Sequence, residues 1–173
     1  MSAPLDRIDR RILALLQADG RLPVAELARR VHLSATPCLE RVRRLERDGY
    51  IRGYSADLDP ALLGAGLIAF VEVQLDRTTP DVFNRFRDGV VALDPVQECH
   101  MVAGGFDYLL KVRARDMAAY RKFLEELAAI AGVQQTHTYV VMEEVKSTRA
   151  IPIRDTALEA QTPARLAPHG PVR

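Results

Sequence analysis

The sequence predicts an α+β protein of two parts, with three helices in the first part and strands alternating with helices in the second. Apolar residues recur every three or four positions up to about residue 57, which is the spacing of a helix face. After residue 66, strand patterns and helix patterns follow in the order β-α-β-β-α-β, the ferredoxin-like arrangement. Pro60, Gly64 and Gly66 interrupt the chain between the two parts and predict a linker there.

The first part predicts three helices joined by short turns. Apolar residues at helical spacing over residues 5–16 predict the first helix. Pro23 is suited to the start of a second, short helix because its missing N–H is not needed there. Ser34 is a favourable N-cap for a third helix, which Gly49 ends. Residues 50–57 are predicted to be extended.

The second part predicts four strands and two helices. Thr79-Pro80 opens one helix and Asp116 caps the other. The strands are rich in β-branched and aromatic residues and are predicted at 67–75, 96–102, 108–112 and 136–141. A sheet with both helices on one face leaves the other face bare, so we expect a second copy to cover it and form a two-fold dimer. The alternative is that the first part of the chain folds over that face.

These elements predict four segments. A helix-turn-helix domain, winged-helix-like, occupies residues 1–57 and a linker occupies 58–66. A ferredoxin-like domain, whose bare sheet face predicts oligomerisation, occupies 67–146. The C-terminal tail, 147–173, contains three prolines after residue 154 and no periodicity, so we expect it to be partly flexible.

The composition excludes several classes of protein. The chain has 173 residues, a formal net charge of +1, 48% apolar and 27% charged residues, which is the usage of a folded globular protein and not of a disordered one. No apolar stretch is long enough to span a bilayer and no signal sequence is recognisable, so we expect a cytoplasmic location and no membrane partner. Two cysteines, Cys38 and Cys99, do not make a disulfide framework, and no metal-ligand spacing or cofactor motif occurs. We therefore expect no metal and no cofactor.

The charge is distributed unevenly along the chain. Residues 1–57 carry 11 arginines against 8 acidic residues, whereas residues 58–146 carry 9 basic and 13 acidic residues. A basic front on an acidic rear favours an anionic partner for the front alone. Ordinary scatter of surface charge is the alternative.

The third helix carries the candidate DNA contacts. Two short helices joined by a tight turn have the dimensions of a helix-turn-helix, and the second of them enters the major groove in such proteins. Arginine binds guanine or phosphate, and the capped end of the helix offers free N–H groups to a phosphate. The predicted DNA-binding residues are Ser34, Thr36, Pro37, Glu40, Arg41, Arg43, Arg44 and Arg47. A solvated basic face, with Glu40 and Arg44 as an intrahelical pair, or a protein-interaction domain would give the same pattern.

Two parts of the chain resemble a known family. The runs 5–9 and 33–51 look like the helix-turn-helix of the Lrp/AsnC family of transcription regulators, and the runs 104–110 and 139–146 are similar to its effector domain. The resemblance extends over most of the chain and is nearest to the leucine-responsive branch. It implies that the N-terminal domain binds double-stranded DNA as part of a homodimer, and that the dimers assemble into an octamer.

The same resemblance gives the Gly104–Tyr108 turn a role. Two glycines that expose backbone N–H groups suit a carboxylate, and Asp107 suits an ammonium group, so the turn has both contacts that a free amino acid needs. An ordinary hairpin turn is the alternative. The resemblance implies an amino-acid effector at the junction between dimers, with the following predicted site residues: Met101, Gly104, Gly105, Asp107, Tyr108, Met117 and Tyr139. Gly105 departs from the acidic residue common in the leucine-responsive branch, which puts leucine itself in question.

The sequence thus predicts a transcription regulator that is not an enzyme and whose DNA binding or assembly responds to an amino acid. A local activator of one amino-acid catabolic operon, with another amino acid as effector, is the alternative within the class. A stand-alone small-molecule-binding protein or enzyme of ferredoxin-like fold is the alternative from another class. An enzyme would need a convergent polar site, and the Gly104–Tyr108 turn offers one acid and no base.

Overall fold

The structure, a computed structural model, describes residues 4–153 and divides them into two compact units. The helical unit contains residues 4–56 together with 148–153, and the sheet unit contains residues 57–147. The segment predicted as a linker is therefore grouped with the sheet unit, and the first residues of the predicted tail are grouped with the helical unit. The rest of that tail lies outside the described residues. In the described part of the chain, no helix is long and apolar enough to cross a membrane.

The helical unit contains the three predicted helices. They are α1 (Arg7–Ala18), α2 (Val24–Arg30) and α3 (Ala35–Arg47). Asp6 is the N-cap of α1 and Ser34 is the N-cap of α3, as predicted for Ser34. Pro23 lies at the N-cap of α2, one position before its predicted place. The core of the unit is formed where α1, α2 and α3 meet, and its buried side chains are Ile12, Leu27, Ala28, Val31, Cys38, Val42 and Leu45.

The residues after α3 are extended without belonging to a strand. Residues 51–59 form no β-ladder. The start of the predicted extended segment is joined to α3 by the Ile51 N–H, which donates to Leu45 O at 3.1 Å. The Tyr54 hydroxyl donates to the carboxylate of Glu46 at 3.0 Å. The ring of Tyr54 lies so near Gly20 that a Cβ at that glycine would be 3.2 Å from it.

The sheet unit confirms the predicted β-α-β-β-α-β order. Its elements are β1 (Leu67–Leu75), α4 (Pro80–Val91), β2 (Val96–Met101), β3 (Tyr108–Ala114), α5 (Met117–Ala128) and β4 (Val133–Val140). The sheet is antiparallel with the strand order β2-β3-β1-β4. Alternate residues of the two central strands face the helices and are buried, whereas the residues between them face the other side.

The face of the sheet opposite the helices carries charged as well as apolar side chains. Phe70, Lys111 and Tyr139 stand side by side on it, because Phe70 pairs with both of the others. Lys111 and Arg113 both lie within ion-pair distance of Glu144. The prediction that a second copy covers this face stays a prediction, and such an interface would have to satisfy charges as well as bury Phe70, which is 36% exposed.

Candidate functional site

The thirteen residues of α3 fall into separate stripes because successive residues are rotated by about 100° around a helix. The first stripe faces the core. Cys38, Val42 and Leu45 are buried against α1 and α2, as the sequence predicts. Burial raises the pKa of the Cys38 thiol, so this cysteine is a neutral core residue.

The second stripe of α3 faces the start of α1. It carries Arg41 and Arg44, and both guanidinium groups donate to aspartates of α1. Arg41 Nη1 lies 2.6 Å from Asp6 Oδ2 and 2.8 Å from Asp9 Oδ1. Arg44 Nη2 lies 2.5 Å from Asp9 Oδ2. These four residues are named the anchor network below.

The two aspartates of the anchor network also cap α1. The Asp6 carboxylate accepts from the backbone N–H of Asp9 at 2.8 Å, and the Asp9 carboxylate accepts from the backbone N–H of Asp6 at 3.1 Å. This reciprocal arrangement is a capping box. Burial raises the pKa of the Asp6 carboxyl, but the hydrogen bonds from Asp9 and Arg41 outweigh burial and hold it below its usual value. Asp6 is therefore ionised wherever the protein is folded at ordinary pH.

Neither aspartate of the anchor network is identified from the sequence, and Asp9 is the more deeply buried of the two. Its side chain is only 1% exposed, and within residues 4–153 it is the buried charged residue. The usable signal is an acid at the N-cap and at the third residue of α1, together with two arginines three apart on another helix. Sequence reasoning does not connect these acids with the arginines because the partner arginines are more than 30 residues away.

The third stripe of α3 is free. Its members are exposed, and none has a hydrogen bond or ion pair to any residue between 4 and 153; they are Thr36, Glu40, Arg43 and Arg47. The spacing of four, three and four residues places them on one face of the helix. Arg44 contacts Asp9 and not Glu40, so the intrahelical pair considered as an alternative is replaced by a contact to α1. This row is named the free stripe below.

Two predicted residues lie at the start of α3. Ser34 is the N-cap, but its side chain makes no capping hydrogen bond, so its hydroxyl is available to another partner. Pro37 is half-buried in the first turn, beside the arginines of the anchor network. Together with Glu40, Arg41, Arg44 and Arg47, Pro37 lines a shallow open depression on this side of the helix. A basic, solvent-exposed helix face with a free capping hydroxyl is suited to a polyanion.

The Gly104–Tyr108 turn connects β2 to β3 and is fixed to β1 by Asp107. The backbone N–H of Asp107 donates to Val73 O at 3.0 Å, and its carboxylate Oδ2 accepts from the N–H of Leu75 at 2.7 Å. Gly104 and Gly105 are exposed, and a Cβ added at either would meet no atom within 4 Å. Space for a ligand or another chain is therefore present beside the two glycines.

The predicted effector residues do not all meet within one chain. Met101 pairs with Tyr108 next to the turn. Tyr108 is buried in the core against Phe86, with ring centroids 4.4 Å apart, and within the described residues its hydroxyl has no hydrogen-bond partner. Met117 is exposed at the start of α5, which follows the far end of β3, about 20 Å along a seven-residue strand.

Tyr139 lies on the opposite side of the sheet from Met101. Tyr139 pairs with Phe70 on the open face, whereas Met101 pairs with Tyr108 on the helix side. A hydrogen bond to the Glu72 carboxylate raises the pKa of the Tyr139 hydroxyl. A single site that includes Met101, Met117 and Tyr139 would therefore need side chains from more than one copy. No group of three or more metal-ligating side chains occurs among residues 4–153.

Both units match families of known proteins. Residues 5–52 match a winged helix-turn-helix DNA-binding domain, and residues 68–151 match the Lrp/AsnC ligand-binding domain. The chain is 58% identical over 151 residues to the leucine-responsive regulatory proteins of Klebsiella pneumoniae and of Escherichia coli strain K12. In each case the match covers 87% of this chain and 92% of the relative.

Solved structures of similar sequence have the same fold. A transcriptional regulator of Neisseria meningitidis in complex with L-methionine superimposes with a TM-score of 0.84 at 37% identity, covering 88% of this chain and 99% of that one. A feast or famine regulatory protein of Mycobacterium tuberculosis, also complexed with L-methionine, gives a TM-score of 0.80 at 34% identity and covers 87% of this chain and all of that one. The likeness therefore includes the helical unit as well as the sheet unit.

Proposed function

The chain belongs to the Lrp/AsnC family of transcription regulators, and we propose that it contacts duplex DNA through the free stripe of α3 and an amino acid at the β2–β3 turn. It is a DNA-binding regulator with a helix-turn-helix domain and an amino-acid-responsive domain. The relatives that it resembles are regulators and not enzymes. We infer a cytoplasmic location, where its DNA is found.

The free stripe carries the DNA proposal. Arg43 and Arg47 are exposed one turn apart, and no acid among residues 4–153 is paired with them, so their guanidinium groups are available for guanine or phosphate. Thr36 and Glu40 lie on the same face and offer a hydroxyl and an acceptor for cytosine or adenine amino groups. The Ser34 hydroxyl supplies a donor to a phosphate at the start of the helix.

Arg41, Arg44 and Pro37 form the border of the proposed DNA surface. Arg41 is 28% exposed and Arg44 34% exposed, so each guanidinium retains N–H donors that reach solvent while it contacts α1. We assign these residues backbone phosphate contacts and not base contacts, because one end of each guanidinium already donates to carboxylates of the α1 region.

The DNA proposal is tested with an arginine pair variant and a charge-matched control. Arg43→Ala/Arg47→Ala removes two charges from the free stripe, and Arg85→Ala/Arg121→Ala removes two charges from exposed positions of the sheet unit. A duplex of about 30 base pairs is first selected by the parent protein from a random library, and binding is followed by fluorescence anisotropy over a salt series. We expect the free-stripe variant to bind at least tenfold more weakly and with a smaller salt slope, and the control to bind like the parent. Parent-like binding by the free-stripe variant would contradict the proposal.

The effector proposal rests on the β2–β3 turn and on the separation of the predicted site residues. The open space beside Gly104 and Gly105, with Asp107 next to it, supports an amino acid bound at the turn. The distance of Met117 from the turn supports a site that is completed by another copy, as in a homodimer that assembles further into an octamer. Similar proteins named leucine-responsive, and others bound to L-methionine, favour leucine or methionine as the effector.

Calorimetry with each of the twenty amino acids tests the effector proposal. We expect heat with leucine or methionine, and a loss of affinity of at least tenfold in Asp107→Asn, which keeps an acceptor for the Leu75 N–H but removes the negative charge. Asp76→Asn is the control at a neighbouring exposed position. Heat with a different amino acid would favour the local regulator, and no heat with any of the twenty would remove the sensor role.

A further inference from the structure

We propose that Asp9 is a positioning residue that sets the rotation of α3 about its own axis and thereby decides which side chains α3 presents to DNA. The inference rests on the proposed function, because it takes the free stripe as the DNA contact. Asp9 itself is buried and does not touch DNA.

Asp9 holds α3 at two points. Each of its two carboxylate oxygens binds one arginine of α3. Oδ1 accepts from Arg41 at 2.8 Å, and Oδ2 accepts from Arg44 at 2.5 Å. Arg41 and Arg44 are three residues apart and so lie one turn apart on the helix. A single contact would leave α3 free to pivot, whereas two contacts on successive turns fix the side that it turns towards α1.

The rest of the α3 interface cannot set this angle as sharply. Cys38, Val42 and Leu45 bury α3 by apolar packing, which has no directional preference of its own. The charge-assisted hydrogen bonds to Asp9 are directional and short. Apolar packing therefore sets how close α3 lies to α1 and α2, and Asp9 sets which stripe points outward.

Asp9 also restricts how two cations reach DNA. While they contact the aspartates, Arg41 and Arg44 can contact phosphates only at the border of the DNA surface and only through their remaining N–H donors. Without the Asp9 charge, Arg44 would be released and Arg41 would keep only its contact to Asp6, on a surface that already carries Arg43 and Arg47. Such a surface binds any duplex better, since phosphate contacts are independent of sequence. Loss of Asp9 should therefore lower discrimination between sequences more than it lowers affinity.

The test compares Asp9→Asn with the parent in the full chain. The probes are the duplex selected by the parent and a shuffled duplex of the same composition, and the quantity measured is the ratio of the two affinities. We expect the ratio to fall at least tenfold, with affinity for the shuffled duplex unchanged or raised and its salt slope steeper. Asp19→Asn, which removes the same charge from the exposed end of α1, is the control and should keep the parent ratio.

Two results would overturn the inference. The first is an unchanged affinity ratio in Asp9→Asn. The second is a parallel loss of affinity for both duplexes that follows the unfolded fraction seen by circular dichroism, because that is what a purely stabilising residue would give. If Asp9→Asn does not fold, Arg44→Lys replaces it: it keeps every charge but loses the planar fork, and the ratio must still fall. If the parent selects no sequence at all, the proposed function fails as well, so the two failures can be told apart.

Discussion

Arg44 Nη2 on α3 lies 2.5 Å from Asp9 Oδ2 on α1, although the two residues are 35 positions apart in the chain. Arg43, the preceding residue, is exposed, and within residues 4–153 it has no ionic partner. Two adjacent arginines of one helix therefore have different tasks: Arg44 joins helices, and Arg43 faces solvent where DNA would lie.

Arg44→Ala and Arg43→Ala should separate stability from DNA binding. Arg44→Ala leaves the buried Asp9 carboxylate with one arginine, so we expect a loss of about 1–3 kcal/mol in the free energy of opening of α3. Arg43→Ala should change it by less than about 0.5 kcal/mol, as for an exposed side chain without partners. Amide hydrogen exchange of α3 measures both. Equal losses in the two variants would refute the division of tasks.

The two N-caps Asp6 and Ser34 should also behave differently. The Asp6 carboxylate accepts a capping hydrogen bond from the Asp9 N–H and a second hydrogen bond from Arg41. Asp6→Ala should therefore destabilise the helical unit by about 1–2 kcal/mol. The Ser34 side chain makes no capping bond, so Ser34→Ala should leave stability within about 0.5 kcal/mol. We expect Ser34→Ala to weaken DNA binding about fivefold, which is the worth of one hydrogen bond. A large stability loss in Ser34→Ala would mean that its hydroxyl caps α3 in solution.

Gly132→Ala should damage the sheet unit, whereas Gly104→Ala should not. Gly132 has φ +100°, and a Cβ there would lie 2.7 Å from Val82 Cγ1. We expect a loss of about 2 kcal/mol or more from strain and displacement of Val82. A Cβ at Gly104 would meet no atom within 4 Å, so Gly104→Ala should unfold like the parent in urea. If Gly104→Ala nevertheless loses the heat of amino-acid binding, the added methyl group must meet a ligand or a second copy at the turn.

Acid should remove the contribution of the Glu26 ion pairs to the stability of the helical unit. Hydrogen bonds from Arg29 and then Arg30 lower the pKa of the Glu26 carboxyl from 4.5 to about 2. Because the folded pKa is lower than the unfolded one, this contribution is complete above pH 4.5 and is lost as the pH falls towards 2. The stability difference between the parent and Glu26→Gln, measured by hydrogen exchange of α2, should therefore favour the parent at pH 7 and vanish near pH 2. A stability difference that grows in acid would contradict the lowered pKa of Glu26.

The sequence predicts the order of elements because each one has a local cause. Ser34 and Pro80 stand at the starts of α3 and α4, positions that these residue types favour, and Asp116 caps α5 by accepting from the nearby Ala119 N–H. The strand β1 has the limits that its apolar alternation predicts. Local sequence signals are therefore sufficient where the residues at the end of an element determine its boundary.

The anchor network was not predictable in the same way, because its cause is not local. Helical spacing alone groups Arg44 with Arg43 on the outer side of α3. Only the position of α1 shows that Arg44 contacts Asp9 instead. Likewise, the family resemblance groups Met117 and Tyr139 with the turn, whereas strand direction and pairing place them away from it within one chain. Long-range register and helix packing decide these cases, and neither is a property of one segment.

Residues 148–153 return to the helical unit and form part of its surface. The side-chain amide of Gln17 accepts from the Ile151 N–H at 3.0 Å and donates to the Ile151 carbonyl at 2.8 Å, as a neighbouring strand would. The polypeptide thus passes between the two units twice, once out and once back. An excised fragment that ends at residue 56 would therefore leave both polar atoms of the Gln17 side chain without these partners.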